Sequence, residues 1–344
     1  MASEIIYVDE KSQIPLFGID FLGVIDRGTN VIEIKPLTLC NLKCKYCFVS
    51  AGDYETNFII DPNYLLKKVN QIVETKGNFK IEIHFAPYGE ILLYPELIKL
   101  IKELWKIDGI EIISIQTNGL LLNNEIIKNL DEAKITRINI SLNSLKQNKA
   151  NFLCNINNYN VEKLLKDISL LLDTKIDVLI APVWFPGEND NDIEEIIKFI
   201  IDLRKAGYSE KKVQIGIQKY LIYKTGRKLK KIRPKSWGYF YKQLSILEKK
   251  YNIKLKLGPH DFGIHKRKTA ASLNVKKNES VRLEIISKGR WKREYIGKID
   301  KNFGIKLLAD KTISNYEKLI GKEIICKIIK ANYKDNILTA SFSI

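Results

Sequence analysis

The sequence predicts an α/β chain in two parts, a partial (β/α)6 barrel followed by a small all-β barrel. Three observations carry this expectation. Short β-branched runs alternate with longer amphipathic segments from residue 30 to about residue 260, the pattern of parallel strands joined by crossover helices. Beyond about residue 275 the helical period gives way to short strands separated by glycines and asparagines. The chain has 344 residues, 45% hydrophobic and 28% charged, enough for about two packed domains and too apolar for global disorder.

The first strand is expected over 31–35, and three closely spaced cysteines follow it directly. A helix should start at Asp61-Pro62, because Asp caps a helix and Pro suits its first turn. Strands over 80–85, 110–116, 136–142, 176–183 and 213–219 lead into helices near 95–106, from 123, and over 161–172, 192–205 and 235–251. Six such units are too few for an eightfold barrel, so an open or partial barrel is expected. The loops after its strands share one face, and that face carries the chemistry. Four further strands are expected over 280–286, 293–299, 324–329 and 336–342, punctuated by Gly289, Gly297, Gly304 and Gly321. The boundaries are placed at 1–29 for an N-terminal extension, 30–265 for the catalytic domain and 266–344 for a basic β-barrel.

Charge divides the chain sharply. Residues 1–203 hold 21 Lys and Arg against 29 Asp and Glu, and residues 204–344 hold 36 against 11, within a total of +17. An acidic body joined to a basic region points to a polyanionic partner. No run approaches 18 apolar residues, and the polar start MASEIIYVDEKSQ lacks the pattern of a signal peptide. The expectation is a cytoplasmic protein with no membrane partner. Five cysteines, three of them within eight residues, make a poor disulfide framework and suit a reducing compartment.

Cys40-Asn41-Leu42-Lys43-Cys44-Lys45-Tyr46-Cys47 spaces three thiols as C-x3-C-x2-C. Such a loop can wrap a metal centre. A structural zinc site would want a fourth Cys or His, and none is close in sequence. Three thiolates on an iron–sulfur cubane would leave one iron open. Spacing alone favours the cluster and leaves zinc as the alternative.

With CNLKCKYC, including the aromatic Tyr46, the chain resembles the radical S-adenosylmethionine (radical SAM) superfamily over about residues 30–260. Tyr88-Gly89-Glu90 resembles the Gly-Gly-Glu motif of that superfamily, with Tyr88 in place of the first glycine and Ile91 in place of the frequent proline. The strand ends Gln116-Thr117-Asn118-Gly119 and Ser141-Leu142-Asn143-Ser144 agree in order and spacing. The resemblance implies that Cys40, Cys44 and Cys47 hold a [4Fe-4S] cluster whose open iron is chelated by S-adenosylmethionine (SAM). An electron donor such as a ferredoxin or flavodoxin would reduce it, and SAM would yield a 5′-deoxyadenosyl radical. It also implies cofactor contacts from Tyr46, Tyr88, Gly89, Glu90, Thr117, Asn118, Ser141 and Asn143. Tyr46 would lie near the adenine, the backbone at Gly89 near the ammonium, and Ser141 and Asn143 near the ribose or carboxylate. No catalytic residue beyond these is singled out, and Cys154 and Cys326 have no assigned role.

Two basic stretches remain. Lys224, Arg227, Lys228, Lys230, Lys231, Arg233 and Lys235 crowd into 12 residues with no acid between them, in the loop after the sixth strand. Ordinarily such a run is a solvated loop, but at the rim of an active site it suits phosphates. Residues 266–344 hold 19 cations against 8 acids, and LIGKEIICKIIKANYKDNILTASF resembles the last strands of a TRAM domain, a β-barrel found on RNA-modifying enzymes. Arg290, Lys292 and Arg293 are grouped with the loop cations as RNA contacts. Trp291, Tyr295, Phe303, Tyr316 and Tyr333 would be stacking surfaces or core residues. The leading expectation is a radical SAM enzyme modifying a nucleotide in RNA, most plausibly tRNA. Its rivals are radical chemistry on a protein or small molecule, and a zinc-stabilised RNA-binding module without catalysis.

Overall fold

Asp61 accepts hydrogen bonds from the backbone N–H groups of Asn63 and Tyr64, both at 2.9 Å, and Pro62 opens the helix where the sequence places it. The computed structural model describes residues 3–271, 273–310, 317–332 and 335–343. Tyr316 and Tyr333 lie outside the described residues. In chain order the strands are β1 (Glu4–Val8), β2 (Gly23–Asp26), β3 (Val31–Lys35), β4 (Thr56–Ile60), β5 (Ile81–Phe85), β6 (Ile110–Thr117), β7 (Arg137–Ile140) and β8 (Asp177–Ile180). They continue with β9 (Val183–Trp184), β10 (Val213–Ile215), β11 (Gln218–Lys219), β12 (Ser280–Lys288), β13 (Glu294–Lys298), β14 (Gly304–Ala309), β15 (Glu323–Asn332) and β16 (Ile337–Phe342). The helices are α1 (Pro62–Lys76), α2 (Leu97–Leu104), α3 (Asn124–Glu132), α4 (Gln147–Cys154), α5 (Val161–Leu172), α6 (Asp190–Lys205) and α7 (Trp237–Tyr251).

The chain divides into two compact units. Residues 1–39, 53–111 and 264–344 make the first, and residues 40–52 and 112–263 the second. In the second unit β6, β7, β8 and β10 are parallel neighbours in that order, separated in sequence by the helices expected of β/α units. The strand expected over 176–183 is broken into β8 and β9. Pro182 has no N–H to give to a ladder, and its carbonyl instead accepts from the Gln218 N–H at 2.7 Å. Helix α4 has no clear signal in the sequence, since Asn148 and Asn151 lower its helix propensity.

In the first unit β2 pairs antiparallel with β3, β3 pairs parallel with β5, and β1 pairs parallel with β4. Residues 4–8 and 23–26 are therefore paired strands, a feature that the period of the sequence does not reveal. The C-terminal strands close into a barrel in the order β12-β13-β14-β16-β15, with β14 and β16 parallel and the other pairs antiparallel. That order is the five-stranded Greek key of the OB-fold. Leu283, Ile285, Tyr295, Ile305, Leu307, Cys326 and Ile328 fill it.

The barrel does not stand free within its unit. The Gly304 N–H donates to the Phe17 carbonyl at 2.7 Å, the Leu338 N–H to the Gly18 carbonyl at 3.2 Å, and the rings of Phe17 and Phe303 stack at 5.9 Å. Gly18 has φ of +92°, and a Cβ there would lie 2.0 Å from the Gly304 carbonyl oxygen, so only glycine permits the approach. Residues 17–20 thus run against β14, whose Lys306 pairs with Asp20. Among the described residues no helix is long and apolar enough to cross a membrane.

Candidate metal centre and cofactor site

The cysteine loop lies in the second unit and is held by its backbone. The Cys47 N–H donates to the Cys44 carbonyl at 3.1 Å, and the Cys47 Sγ accepts from the Ala51 N–H at 3.3 Å. Arg227 then clamps the loop. Its guanidinium donates to the Cys44 carbonyl through Nε and to the Ala51 carbonyl through Nη2, both at 2.7 Å, while its own N–H donates to the Cys47 carbonyl at 2.8 Å. Ser50 Oγ adds a bond to the Thr225 carbonyl at 2.8 Å. Gly226 must be small, since a Cβ there would lie 2.3 Å from the Phe48 carbonyl oxygen. Arg227, expected as an RNA contact, is half-buried here with two of its side-chain nitrogens bonded to this loop. The signal in the sequence is Gly226 beside it, which permits the close passage.

Tyr46 and Asn143, both expected at the cofactor, are brought together. The Asn143 amide donates to the Tyr46 hydroxyl at 2.5 Å, and its oxygen accepts from the Val183 N–H at 2.7 Å. The Tyr46 ring packs on Phe185 at 4.9 Å, and Phe185 on Tyr220 at 5.1 Å. Burial pushes the Tyr46 hydroxyl well above its ordinary range. The Cys44 thiol is hydrogen-bonded to Cys154 and buried, and both effects raise its pKa. Cys154, buried at the end of α4, is therefore a neighbour of the metal loop, whereas Cys326 belongs to the core of the distant-in-sequence β-barrel.

Asn118 also reaches the cysteine loop. Its oxygen accepts from the Leu120 N–H at 3.0 Å, which fixes the amide so that its nitrogen donates to the Asn41 oxygen at 2.8 Å. The Asn41 amide nitrogen is left buried without an acceptor. Thr117 accepts from the Gly119 N–H at 3.0 Å, closing the turn, and Ser141 accepts from the Gln116 amide at 2.9 Å.

In the first unit, the Tyr88-Gly89-Glu90 turn packs on the backbone that leads into Cys40. The Glu90 N–H donates to the Leu39 carbonyl at 2.7 Å, and a Cβ on Gly89 would lie 2.0 Å from that same oxygen. The Glu90 carboxylate, 2% exposed, accepts from the Leu92 N–H at 3.1 Å and so braces the turn. Tyr88 has a ring where the motif usually has glycine, and the Lys35 ammonium lies 4.6 Å over it. Lys35 donates to the Ala86 carbonyl at 2.6 Å and pairs with Glu33, which also pairs with Arg27.

The grouped cations separate. Lys224, Lys228, Lys230, Lys231 and Arg233 are exposed in the second unit. Arg290 is 3% exposed in the first, donating to both oxygens of Glu294 at 2.8 and 2.9 Å, with Phe21 at 4.2 Å and Tyr54 at 5.2 Å from its guanidinium. Its grouping with RNA contacts is corrected on this ground: a buried, doubly bonded guanidinium has nothing to offer a phosphate. Lys292 is exposed and Arg293 half-buried. Tyr295 and Phe303 are core residues, and Trp291 meets Tyr54 edge-on at 5.2 Å.

A three-cysteine loop after a strand of a parallel β/α sheet defines a class of radical enzymes, and comparison with known proteins agrees. The chain belongs to the radical SAM superfamily, whose sequence profile matches residues 34–200. An uncharacterised protein of Methanocaldococcus jannaschii is 34% identical over 97% of this chain and 80% of its own length. The GTP 3′,8-cyclase of Staphylococcus epidermidis is 35% identical over 185 residues, 51% of this chain and 52% of that enzyme. The chain thus spans about half the length of the cyclases it matches. A crystal structure of Streptococcus suis SuiB bound to the precursor peptide SuiA shares the fold, with a TM-score of 0.51 and 17% identity over 74% of this chain and 52% of that one.

Members of the superfamily use a [4Fe-4S] cluster and SAM. The residues present fit both. Among the described residues, no three Cys, His, Asp or Glu side chains converge as a single metal ion would need. A cubane bound to SAM needs three thiolates, each on a different iron, and Cys40, Cys44 and Cys47 supply that number. The Asn41 amide donor, buried in the cysteine loop without an acceptor, is a group that a bound cofactor with acceptor atoms would use.

Proposed function

We propose that this radical SAM enzyme acts on RNA, with structured RNA such as tRNA as its first candidate, and that the RNA docks on residues 219–247. One observation carries this reading. That segment has nine Lys and Arg and no Asp or Glu, and through Arg227 and Gly226 it is fastened to the cysteine loop itself. A polyanion held there by phosphate contacts would lie beside the radical source.

When bound, the cluster and SAM supply a 5′-deoxyadenosyl radical that removes hydrogen from the substrate. The chain does the rest. Cys40, Cys44 and Cys47 would hold the cluster, with Arg227 fixing the path of their backbone. Asn143 orients the Tyr46 hydroxyl, and Phe185 and Tyr220 close the apolar side of that ring against water. Glu90 and Gly89 would keep backbone groups aimed at the SAM ammonium. Exposed Lys224, Lys228, Lys230, Lys231 and Arg233 would neutralise phosphates without choosing sequence. A low-potential donor such as ferredoxin or flavodoxin would supply the electron.

The likeness to GTP 3′,8-cyclase favours a second reading, a nucleoside triphosphate bound by the same cations. Anaerobically reconstituted protein should bind about four irons and release 5′-deoxyadenosine under a strong reductant. Mass spectrometry of tRNA nucleosides from cells with and without the gene, beside turnover assays with GTP, then separates the two. A missing nucleoside supports RNA, and GTP consumption with an unchanged tRNA profile defeats it.

A further inference from the structure

The start of α7 exposes three large aromatic side chains within five residues. Trp237 is 53% exposed, Tyr239 40% and Tyr241 47%, while Phe240 between them is buried. Single exposed aromatic residues are ordinary, but three grouped within one helical turn and a half form a contiguous patch of the kind that marks a binding surface. Their geometry is ordered. The Trp237 and Tyr241 rings stack at 5.8 Å with 24° between planes, one helical turn apart. Tyr239 stacks on Trp184 at 6.1 Å and 18°, on the opposite side of the buried Phe240. Cations attend both pairs, with the Lys219 ammonium 4.9 Å over Trp237 and the Lys235 ammonium 5.6 Å over Tyr239. Beside Trp237 and Tyr241 a groove of about 370 Å³, floored by Leu179, Gly216 and Ile217, opens between the helix and the strand ends. That volume is within the range of small-molecule sites.

We infer that this helix start is a stacking platform for unpaired nucleotides, with a base taking the place of the Lys219 ammonium on Trp237 at the groove, and its neighbours' phosphates on the displaced Lys219 and on Lys235. The inference rests on the RNA reading above and narrows it to single-stranded or looped segments. Parallel ring faces and interleaved cations are what unpaired bases need, since every base has a π-face and a duplex hides it. An acidic protein would use the cations equally, but the carboxylates that meet them carry no aromatic face, whereas each nucleotide brings a base with its phosphate. The platform is also continuous with the metal loop. Trp184 precedes Phe185, which packs on Tyr46, the residue before Cys47.

The test uses the full-length protein and fluorescence anisotropy with a labelled oligoribonucleotide of about 10 nucleotides, as a single strand and as the matching duplex. The single strand should bind more tightly. Trp237→Ala and Tyr241→Ala should each weaken it on the order of tenfold, with the duplex changing far less, and Trp237→Phe should restore most of the loss. Both positions are exposed, and thermal unfolding of each variant checks that it is folded. Equal binding of single strand and duplex, with both alanine variants unaffected, overturns the platform and leaves the RNA reading standing. Absence of binding to either RNA by the unsubstituted protein overturns both. Displacement of the single strand by polyglutamate at matched charge, with no effect of Trp237→Ala, assigns the surface to an acidic protein instead.

Discussion

Two basic regions of this chain place some of their cations in opposite ways. In the loop after β11, Lys224, Lys228, Lys230, Lys231 and Arg233 are exposed, with no acid in the segment to meet them. In the β-barrel, Arg290 is buried and bonded to Glu294, and Lys306 pairs with Asp20. OB-folds bind oligonucleotides on the face of their second and third strands and on the loops between the first and second and between the fourth and fifth. Here four of the five residues of β13 are buried, residues 17–20 run along β14, and the first loop contributes Arg290 to a buried cluster with Phe21 and Tyr54. Part of the surface that binds oligonucleotides in other OB-folds is therefore taken up by contacts within the protein itself. Net charge in a sequence says where cations are, and only the fold says which of them are already engaged.

The contrast can be tested from its largest effect down. Arg290→Ala should destabilise the protein by about 3–5 kcal/mol in chemical denaturation, because it strands the buried Glu294 carboxylate. A loss below about 1 kcal/mol would mean the barrel arginine is as dispensable as a surface cation. Acid should act through Glu33. Burial opposes its charge, but Lys35 and then Arg27 outweigh that and hold its carboxyl down at about 2, against the ordinary 4.5. Because the folded value is the lower one, its contribution is complete above pH 4.5 and is lost as pH falls from there toward 2. Stability measured over that window should therefore fall less steeply in Glu33→Gln, by about 3 kcal/mol in total.

Arg227→Ala should cost about 1–3 kcal/mol through the missing charge-assisted hydrogen bonds, and should lower the iron retained after reconstitution. Unchanged iron content would show that the clamp is not what orders the loop. The smallest effect on stability is expected where the sequence shows most charge. Lys224, Lys228, Lys230 and Lys231 changed together to Gln should shift unfolding by no more than about 0.5 kcal/mol per site. The salt dependence of RNA binding should nevertheless flatten, by roughly 0.7 log units per log salt for each single-strand phosphate no longer neutralised.

Much of the architecture is legible in the sequence. The strand 31–35, the helix 161–172 and the onset of α1 follow from β-branched runs, amphipathic period and an Asp-Pro cap, all of them local signals. The cysteine motif is legible for the same reason, being contiguous. What escapes depends on partners far away in the chain. Strands β1 and β4 pair across about fifty residues, so neither announces itself alone. Burial of Arg290 depends on a hairpin that returns Glu294 to it and on Phe21 and Tyr54 from another part of the chain. Arg227 reads as one cation among seven until the fold lays it across residues 44–51. The aromatic cluster of α7 is visible as WGYFY, but a helix of that composition reads as core until its exposure is known.

The clamp on the cysteine loop has one more consequence. Arg227, Ser50 and Gly226 hold that loop by carbonyl oxygens and backbone contact, and none of them uses a thiol. In a zinc finger the metal is the fold, and removing it releases the chain. Here the loop has polypeptide partners of its own, so loss of iron to oxygen or a chelator should empty the site without unfolding the chain, an outcome that circular dichroism before and after chelation checks. The three cysteines would then remain placed for the next cluster, and repair would be a matter of delivery instead of refolding.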